Sequence, residues 1–294
     1  MGRSCFGGPR NMTGDVNTQA AFGTFRPGFF WRLLFRGTEK GRKVERSKGV
    51  AKRLRHFLRG HPRAFDVEQP KEGIRLRLYP AENHCDLTIL LSGRHVMSDE
   101  LDALGARLAD AKVFLDVGAN VGIASLLARR RMSEDARVIA IEPHPRTRAK
   151  LETNLALNDA GNVTVLPFAV GPRAETMEIF PVRAHNAGAN TLVPQREPTG
   201  EGIAISVRPL TDLLAETGVD RIDVMKIDVE GFEVNALMPF FETAPQSLWP
   251  RYLMMEVLFR DNWDVDLVEH LKGLGYTEAH VTRNDVHLVH AEAT

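Results

Sequence analysis

Between Val113 and Leu166 the sequence alternates between two periods. Val113 to Val117, Val138 to Ile141 and Val163 to Leu166 are short apolar runs, and Ile123 to Arg131 and Arg146 to Leu157 carry helical spacing between them. Short buried strands separated by helices predict crossover units, and hence a mostly parallel sheet with helices on both faces. Later runs continue the pattern: Ile222 to Ile227, Tyr252 to Val257, and a helix over Val265 to Leu274. The final pair, Thr277 to Thr282 and Val286 to Val289, is split by Asn284-Asp285 and predicts an antiparallel hairpin closing the sheet.

Upstream, Ser98-Asp99-Glu100 opens a helical run through Leu101, Leu104 and Leu108. Before it, Ile74 to Tyr79 alternates cleanly and Leu87 to Leu91 is apolar, so residues 61–97 are expected to form a small β lead-in with two strands. Residues 1–60 differ in charge. They hold fourteen Lys and Arg against three acids, a net of +11, although the whole chain balances 38 bases with 38 acids. Residues 1–28 are rich in Gly and polar side chains and read as a disordered lead-in. Glu45 to Leu58 has amphipathic helical spacing through Val50, Leu54, Phe57 and Leu58. Such a basic segment suits an anionic membrane surface, a nucleic acid, or simple packing on the main domain. The chain thus divides into a basic extension (1–60), a lead-in (61–97) and a main domain (98–294).

Composition narrows the class. With 43% hydrophobic residues in 294, the chain as a whole is neither disordered nor collagen-like. No apolar run approaches the roughly 18 residues of a spanning helix. Two cysteines, Cys5 and Cys85, give no disulfide framework, which fits a reducing compartment. The expected location is cytoplasmic or membrane-peripheral.

The strand ending in Asp116-Val117-Gly118-Ala119-Asn120-Val121-Gly122 runs directly into a helix. Gly118 permits a tight turn, and Gly122 lets the helix begin close beneath a ligand, where backbone N–H groups favour negative charge. Twenty residues past Gly122 stands Glu142, at the end of the next strand, where a carboxylate accepts hydrogen bonds from ribose hydroxyls. A dinucleotide fingerprint would require glycine at positions 120 and 123, where Asn120 and Ile123 stand, so an NAD-dependent enzyme is disfavoured.

The Asp116–Gly122 loop, Ile141-Glu142-Pro143, Asn154-Leu155-x-x-Asn158, Ala169-Val170-Gly171 and Lys226-Ile227-Asp228-Val229-Glu230-Gly231, in that order, resemble the FkbM family of S-adenosylmethionine-dependent methyltransferases over about residues 112–258. The resemblance implies an α/β, Rossmann-like class I methyltransferase fold with seven mostly parallel strands and a reversed terminal hairpin. It implies S-adenosylmethionine as cofactor and methyl transfer to a hydroxyl of a sugar or other small metabolite. By position, Asp116, Gly118, Asn120 and Gly122 would shape the pocket for the methionine end, and Glu142 would bind the ribose. Pro143, His144, Phe168 and Ala169 would flank the adenine.

Methyl transfer to an alcohol benefits from a general base. Lys226 and Asp228 share a strand face, with Asp228 at its carboxyl end, Glu230 beyond it, and Glu256 ending the neighbouring strand. Asp228 is expected to orient or deprotonate the acceptor, tuned by Lys226 or Glu230; a structural Lys226–Asp228 ion pair is the alternative, and a divalent cation held by the carboxylates another. No metal is assigned. The interval 171–209 contains strands at Thr176 to Phe180 and Ile203 to Val207 around a Gly- and Asn-rich loop with His185, a candidate substrate-side lid and second base. A nucleic-acid methyltransferase using the basic arm and a non-catalytic nucleoside-binding module are the rival functions.

Overall fold

A computed structural model describes residues 16–29, 53, 56–58, 63–69, 71–92, 98–181, 190–192 and 202–291. Most of the basic segment 28–59, the loop containing His185, and residues 1–15 lie outside the described residues, so the membrane, nucleic-acid and second-base readings attached to them do too.

The lead-in begins with an antiparallel pair, β1 (Phe65–Gln69) and β2 (Ile74–Leu78). Within it Arg77 and Asp66 form an ion pair at 2.8 Å with neither side chain exposed. Burying two charges is tolerable only when their remaining donors and acceptors are satisfied. Residues 16–28 satisfy them: Asp66 Oδ2 accepts the N–H groups of Gly23 (2.8 Å) and Phe25 (3.1 Å), and Arg77 donates to the carbonyls of Asn17 (2.8 Å) and Ala21 (3.1 Å). The part of the 1–28 segment that is described is therefore bound, contrary to the disorder its composition suggests.

The expected second strand, Leu87 to Leu91, is instead a helix, α1 (His84–Ser92). Asn83 Oδ1 caps its start by accepting the N–H groups of Cys85 (2.8 Å) and Asp86 (3.4 Å). Leu87 and Leu90, three apart, are both buried, a spacing that a helix places on one face. The strand partner of β2 is β1, which precedes it in the chain.

After α2 (Ser98–Leu108) the chain runs β3 (Val113–Val117), α3 (Ile123–Arg131), β4 (Arg137–Ile141), α4 (Pro145–Leu157), β5 (Thr164–Leu166), β6 (Ala169–Val170), β7 (Glu175–Pro181), β8 (Asn190–Thr191), β9 (Ile203–Arg208), α5 (Leu210–Thr217), β10 (Val224–Ile227), α6 (Glu233–Thr243), β11 (Tyr252–Glu256), α7 (Leu267–Gly273), β12 (Tyr276–Val281) and β13 (Asp285–His290). The seven-stranded sheet has the order β12-β13-β11-β10-β3-β4-β5. All pairs from β11 to β5 are parallel, and β13 runs antiparallel to both of its neighbours. This is the α/β, Rossmann-like class I methyltransferase architecture expected from the sequence.

Alternation along the strands builds two cores. Phe114, Val138, Val224 and Met254 pack on one face with Leu104, Leu126 and Leu151 of α2, α3 and α4. Leu115, Ile139, Met225 and Leu253 pack on the other with Leu213, Leu237 and Leu271 of α5, α6 and α7. The chain moves outward from β3 through β4 to β5 and then returns to β10 on the other side of β3. Such a reversal opens a crevice at the carboxyl ends of the strands, where open α/β sheets bind their ligands.

A second sheet of the main domain, β6-β9-β7-β8, joins Ala169–Val170 to the described strands of the interval 171–209 and has its own small core of Ala169, Ile179, Leu192, Ile205, Val207 and Phe232. It stands beside the crevice.

Candidate functional site

β3 ends in a turn that only glycine permits. Gly118 has φ +75°, and a Cβ there would lie 1.9 Å from the carbonyl oxygen of Asp228. Close approach of two strand ends, rather than of a ligand, thus requires this glycine. At Gly122 the left-handed backbone (φ +90°) is what favours glycine, since a Cβ there would meet only the end of the Leu151 side chain of α4, at 2.5 Å. Asn120 between them is left-handed without being glycine (φ 51°). The loop's N–H groups are already engaged, Gly118 and Ala119 with Ile141 O (both 3.0 Å) and Asn120 with Glu142 Oε2 (3.0 Å).

Glu142 ends β4. Its Oε1 accepts the N–H of His144 (2.9 Å), its Oε2 that of Asn120, and its side chain faces a cleft also lined by Gly118, Asn120, Pro143, Thr147, Phe168 and Ala169. Each carboxylate oxygen has a second acceptor position, so two hydrogen bonds leave capacity for a ligand. Burial pushes Glu142 up to about 7, against the two N–H groups that pull it down. His144 is turned away from the cleft: its Nδ1 accepts the Thr147 N–H at 3.3 Å and caps α4. It is not among the cleft-lining residues, unlike Pro143 beside it.

The opposite rim comes from β10. Lys226 stands in register with Asp116 of β3, and its Nζ donates to Gly118 O at 2.8 Å while lying 3.5 Å from both Asp116 Oδ1 and Asp228 Oδ2. Burial works against the ammonium, but Asp228, Asp116, Asp285 and Glu256 more than offset it, so its pKa is raised. Asp116 is fully buried and bonded by Ser125 Oγ at 2.6 Å; with Lys226 and Gly122 it lies beneath the cleft rather than in its wall. Asp228 and Glu230, by contrast, line the cleft.

Behind them lie three more acidic side chains. Glu233 of α6 is fully buried, with Oε1 accepting the N–H groups of Val229 (3.1 Å) and Gly231 (3.3 Å), and burial pushes it up to about 7. Burial, followed by the Asp228 carboxylate, also pushes Asp285 up to about 7 and raises Glu256. Among the described residues no group of three His, Cys, Asp or Glu side chains is placed to hold a metal ion.

Sequence reasoning missed several wall residues. Ile179 and Leu192 of the second sheet, and Val229 and Phe232 after β10, line the cleft. The inserted interval thus touches the site through its described strands. Asn83 was missed as well. Its Nδ2 reaches Asn120 Oδ1 at 3.2 Å from a segment outside all the recognised motifs. Asn154 and Asn158, part of a motif with no role attached, bind the edge of β2: Asn154 Oδ1 accepts Arg77 N–H (2.8 Å), and Asn158 accepts from and donates to the backbone of Arg75 (2.9 and 2.6 Å).

Residues 116–277 match the family model described as the methyltransferase FkbM domain. The methyltransferase sdnD of Sordaria araneosa is 32% identical over 163 residues, which are 45% of this chain and 61% of sdnD, so the match spans less than two thirds of that relative. The 31-O-demethyl-FK506 methyltransferase FkbM of Streptomyces tacrolimicus is 30% identical over 203 residues, 59% of this chain and 75% of that protein. A solved structure of methyltransferase FkbM from Methylobacillus flagellatus is 21% identical with a TM-score of 0.39, covering 61% of this chain and 43% of the other. With more than half of its length matched by the family model, the chain belongs to the FkbM methyltransferase domain family.

Proposed function

We propose that the protein binds S-adenosylmethionine in this cleft and transfers its methyl group to a hydroxyl oxygen of a sugar or other small metabolite. The observation that carries the reading is Glu142: a buried carboxylate with acceptor capacity to spare, in one cleft with an apolar wall of Pro143, Phe168 and Ala169 and an acidic rim of Asp228 and Glu230. The carboxylate suits the ribose hydroxyls, the apolar wall suits the adenine, and the negative rim suits a cationic sulfonium. Gly118 and Asn120 border the methionine end from within the cleft, whereas Asp116 and Gly122 support it from below. Bound there, the cofactor supplies an electrophilic methyl group.

The chain's own task is alignment and proton removal. Asp228, one-fifth exposed and facing the cleft, takes the proton of the acceptor hydroxyl. Lys226, pinned by Gly118 O, orients Asp228 from 3.5 Å without lining the cleft itself. Glu230, left-handed at φ 55°, presents a second carboxylate to the acceptor side. The relative named as a 31-O-demethyl-FK506 methyltransferase supports oxygen as the acceptor atom and a small molecule as the partner.

The test is transfer of labelled methyl from S-adenosylmethionine to pooled sugars and hydroxylated metabolites. Expected is an alkali-stable ether product that Asp228→Asn loses while retaining cofactor binding. Label appearing in amines, or equal turnover by Asp228→Asn, overturns the reading.

A further inference from the structure

The lead-in lies outside the family-matched residues 116–277, yet two of its consecutive side chains grip the site's framework, one the helix that follows Glu142-Pro143 and the other the Gly118–Gly122 loop. Glu82 takes Arg146 (2.7 and 2.9 Å) and Lys150 (2.7 Å) on α4, the helix that follows Glu142-Pro143. Asn83 takes the other loop. It is 1% exposed, its Oδ1 accepts the Cys85 and Asp86 N–H groups, and its Nδ2 donates to Asn120 Oδ1. Two backbone donors at one end of the amide fix which end is oxygen, so the nitrogen is the end directed at Asn120.

Asn120 needs such a hold. Its left-handed backbone is one that Asn tolerates better than other non-glycine residues, and the surrounding contacts decide how firmly it is kept. Its N–H is the donor to Glu142 Oε2, so any drift of the loop moves a hydrogen bond on that carboxylate. The segment behind Asn83 is itself fixed: Glu82 N–H (2.9 Å) and Asn83 N–H (3.2 Å) bond Tyr79 O, Asp86 Oδ2 accepts the Tyr79 N–H (2.8 Å), and Asn154 and Asn158 hold β2.

We infer that Asn83 is a positioning residue of the cofactor cleft, acting through Asn120 on Glu142, and that the lead-in is therefore part of the site. The inference rests on the proposed function, because the ligand whose binding it affects is the nucleoside cofactor.

The experiment uses the full chain with S-adenosylhomocysteine as probe. Asn83→Ser keeps a helix cap but is too short to reach Asn120. It is expected to keep the wild-type urea midpoint and to bind about 2- to 10-fold more weakly, the worth of one neutral hydrogen bond. The pH profile separates positioning from capping. Ribose hydroxyls favour ionised Glu142, so affinity falls as pH drops through its pKa. Around Glu142, Asp116 of β3 raises that pKa, while Lys226 of β10 and the N–H groups of His144 and Asn120 lower it. His144, lowered to about 4, stays neutral in this range. A loosened Asn120 N–H moves the acid limb to higher pH in Asn83→Ser.

Wild-type affinity and an unmoved limb in Asn83→Ser overturn the inference and leave Asn83 a helix cap. Should that variant not fold, Asn120→Gly asks the same question from the other side. Asn120 lines the cleft itself, so affinity alone does not decide here: an acid limb moved to higher pH supports the link, and an unmoved limb overturns it. If the wild-type chain binds no S-adenosylhomocysteine, the proposed function itself fails, an outcome distinct from either.

Discussion

Lys226 and Asp116 are register partners on adjacent parallel strands, and the 3.5 Å contact between them is buried, at 7% and 0% side-chain exposure. Asp116 Oδ1 has no hydrogen-bond partner among the described residues, so the ammonium is its compensation. Lys226→Met is expected to cost about 3–5 kcal/mol, the usual penalty for stranding a buried charge. Asp228→Asn, at a partly exposed position, is expected to change stability little while abolishing transfer. Urea unfolding of both variants checks the contrast.

Stability should fall as pH rises from 6.5 to 8.5. Burial raises Glu142, Glu233 and Asp285 to about 7, above the ordinary carboxyl range, so in this window the folded chain holds protons that the unfolded chain has released. Each group contributes roughly 1 kcal/mol of loss across the window. His144 and His287, lowered to about 4 chiefly by burial, act in the opposite sense but below about pH 6.5. Glu256, raised further by burial and its acidic neighbours, adds to the same slope; urea titrations at the two pH values check it, and Asp285→Asn should make it shallower.

Two glycines with positive φ make a matched pair. At Gly73 (φ +62°) a Cβ would meet no described atom within 4 Å, so Gly73→Ala should cost about 1 kcal/mol of backbone strain. At Gly118 the same methyl meets Asp228 O, so Gly118→Ala must displace a strand end and should cost more than about 3 kcal/mol. Comparing their thermal midpoints tests whether close approach, rather than φ alone, selects Gly118.

Arg77→Met should release residues 16–28. The substitution strands the fully buried Asp66 and removes donors to Asn17 O and Ala21 O. Limited proteolysis should cut this segment in the variant and spare it in the wild type, with a stability loss of about 3–5 kcal/mol.

The main sheet was legible because its central strands β3, β4, β10 and β11 bury both faces and so read as unbroken apolar runs. The helices Leu210–Thr217 and Glu233–Thr243 carry the same signal in Leu210, Leu213 and Leu214 and in Val234, Leu237 and Phe241, but the second is interrupted by Pro239, and neither was assigned from sequence. Leu87 to Leu91 failed for a different reason. A short apolar run fits either period, and its cap, Asn83, shows its meaning only once the turn after β2 is formed. In the site, Gly118, Asn120, Glu142, Pro143, Phe168, Ala169, Asp228 and Glu230 line one cleft. Asp116, Gly122, Lys226 and His144 do not reach it, because spacing identifies a motif's members without saying which of them face a ligand and which hold the others. Asn83 and the second-sheet residues Ile179 and Leu192 come from segments whose proximity to the loop is a property of the tertiary fold.

The most direct test of the cofactor site is calorimetric titration of the full chain with S-adenosylhomocysteine, with NAD and the Glu142→Ala variant in parallel. Micromolar binding by the wild type is expected, with loss of that binding in Glu142→Ala and none for NAD. Folded wild-type protein that ignores S-adenosylhomocysteine, or a Glu142→Ala variant that binds it equally well, would contradict it.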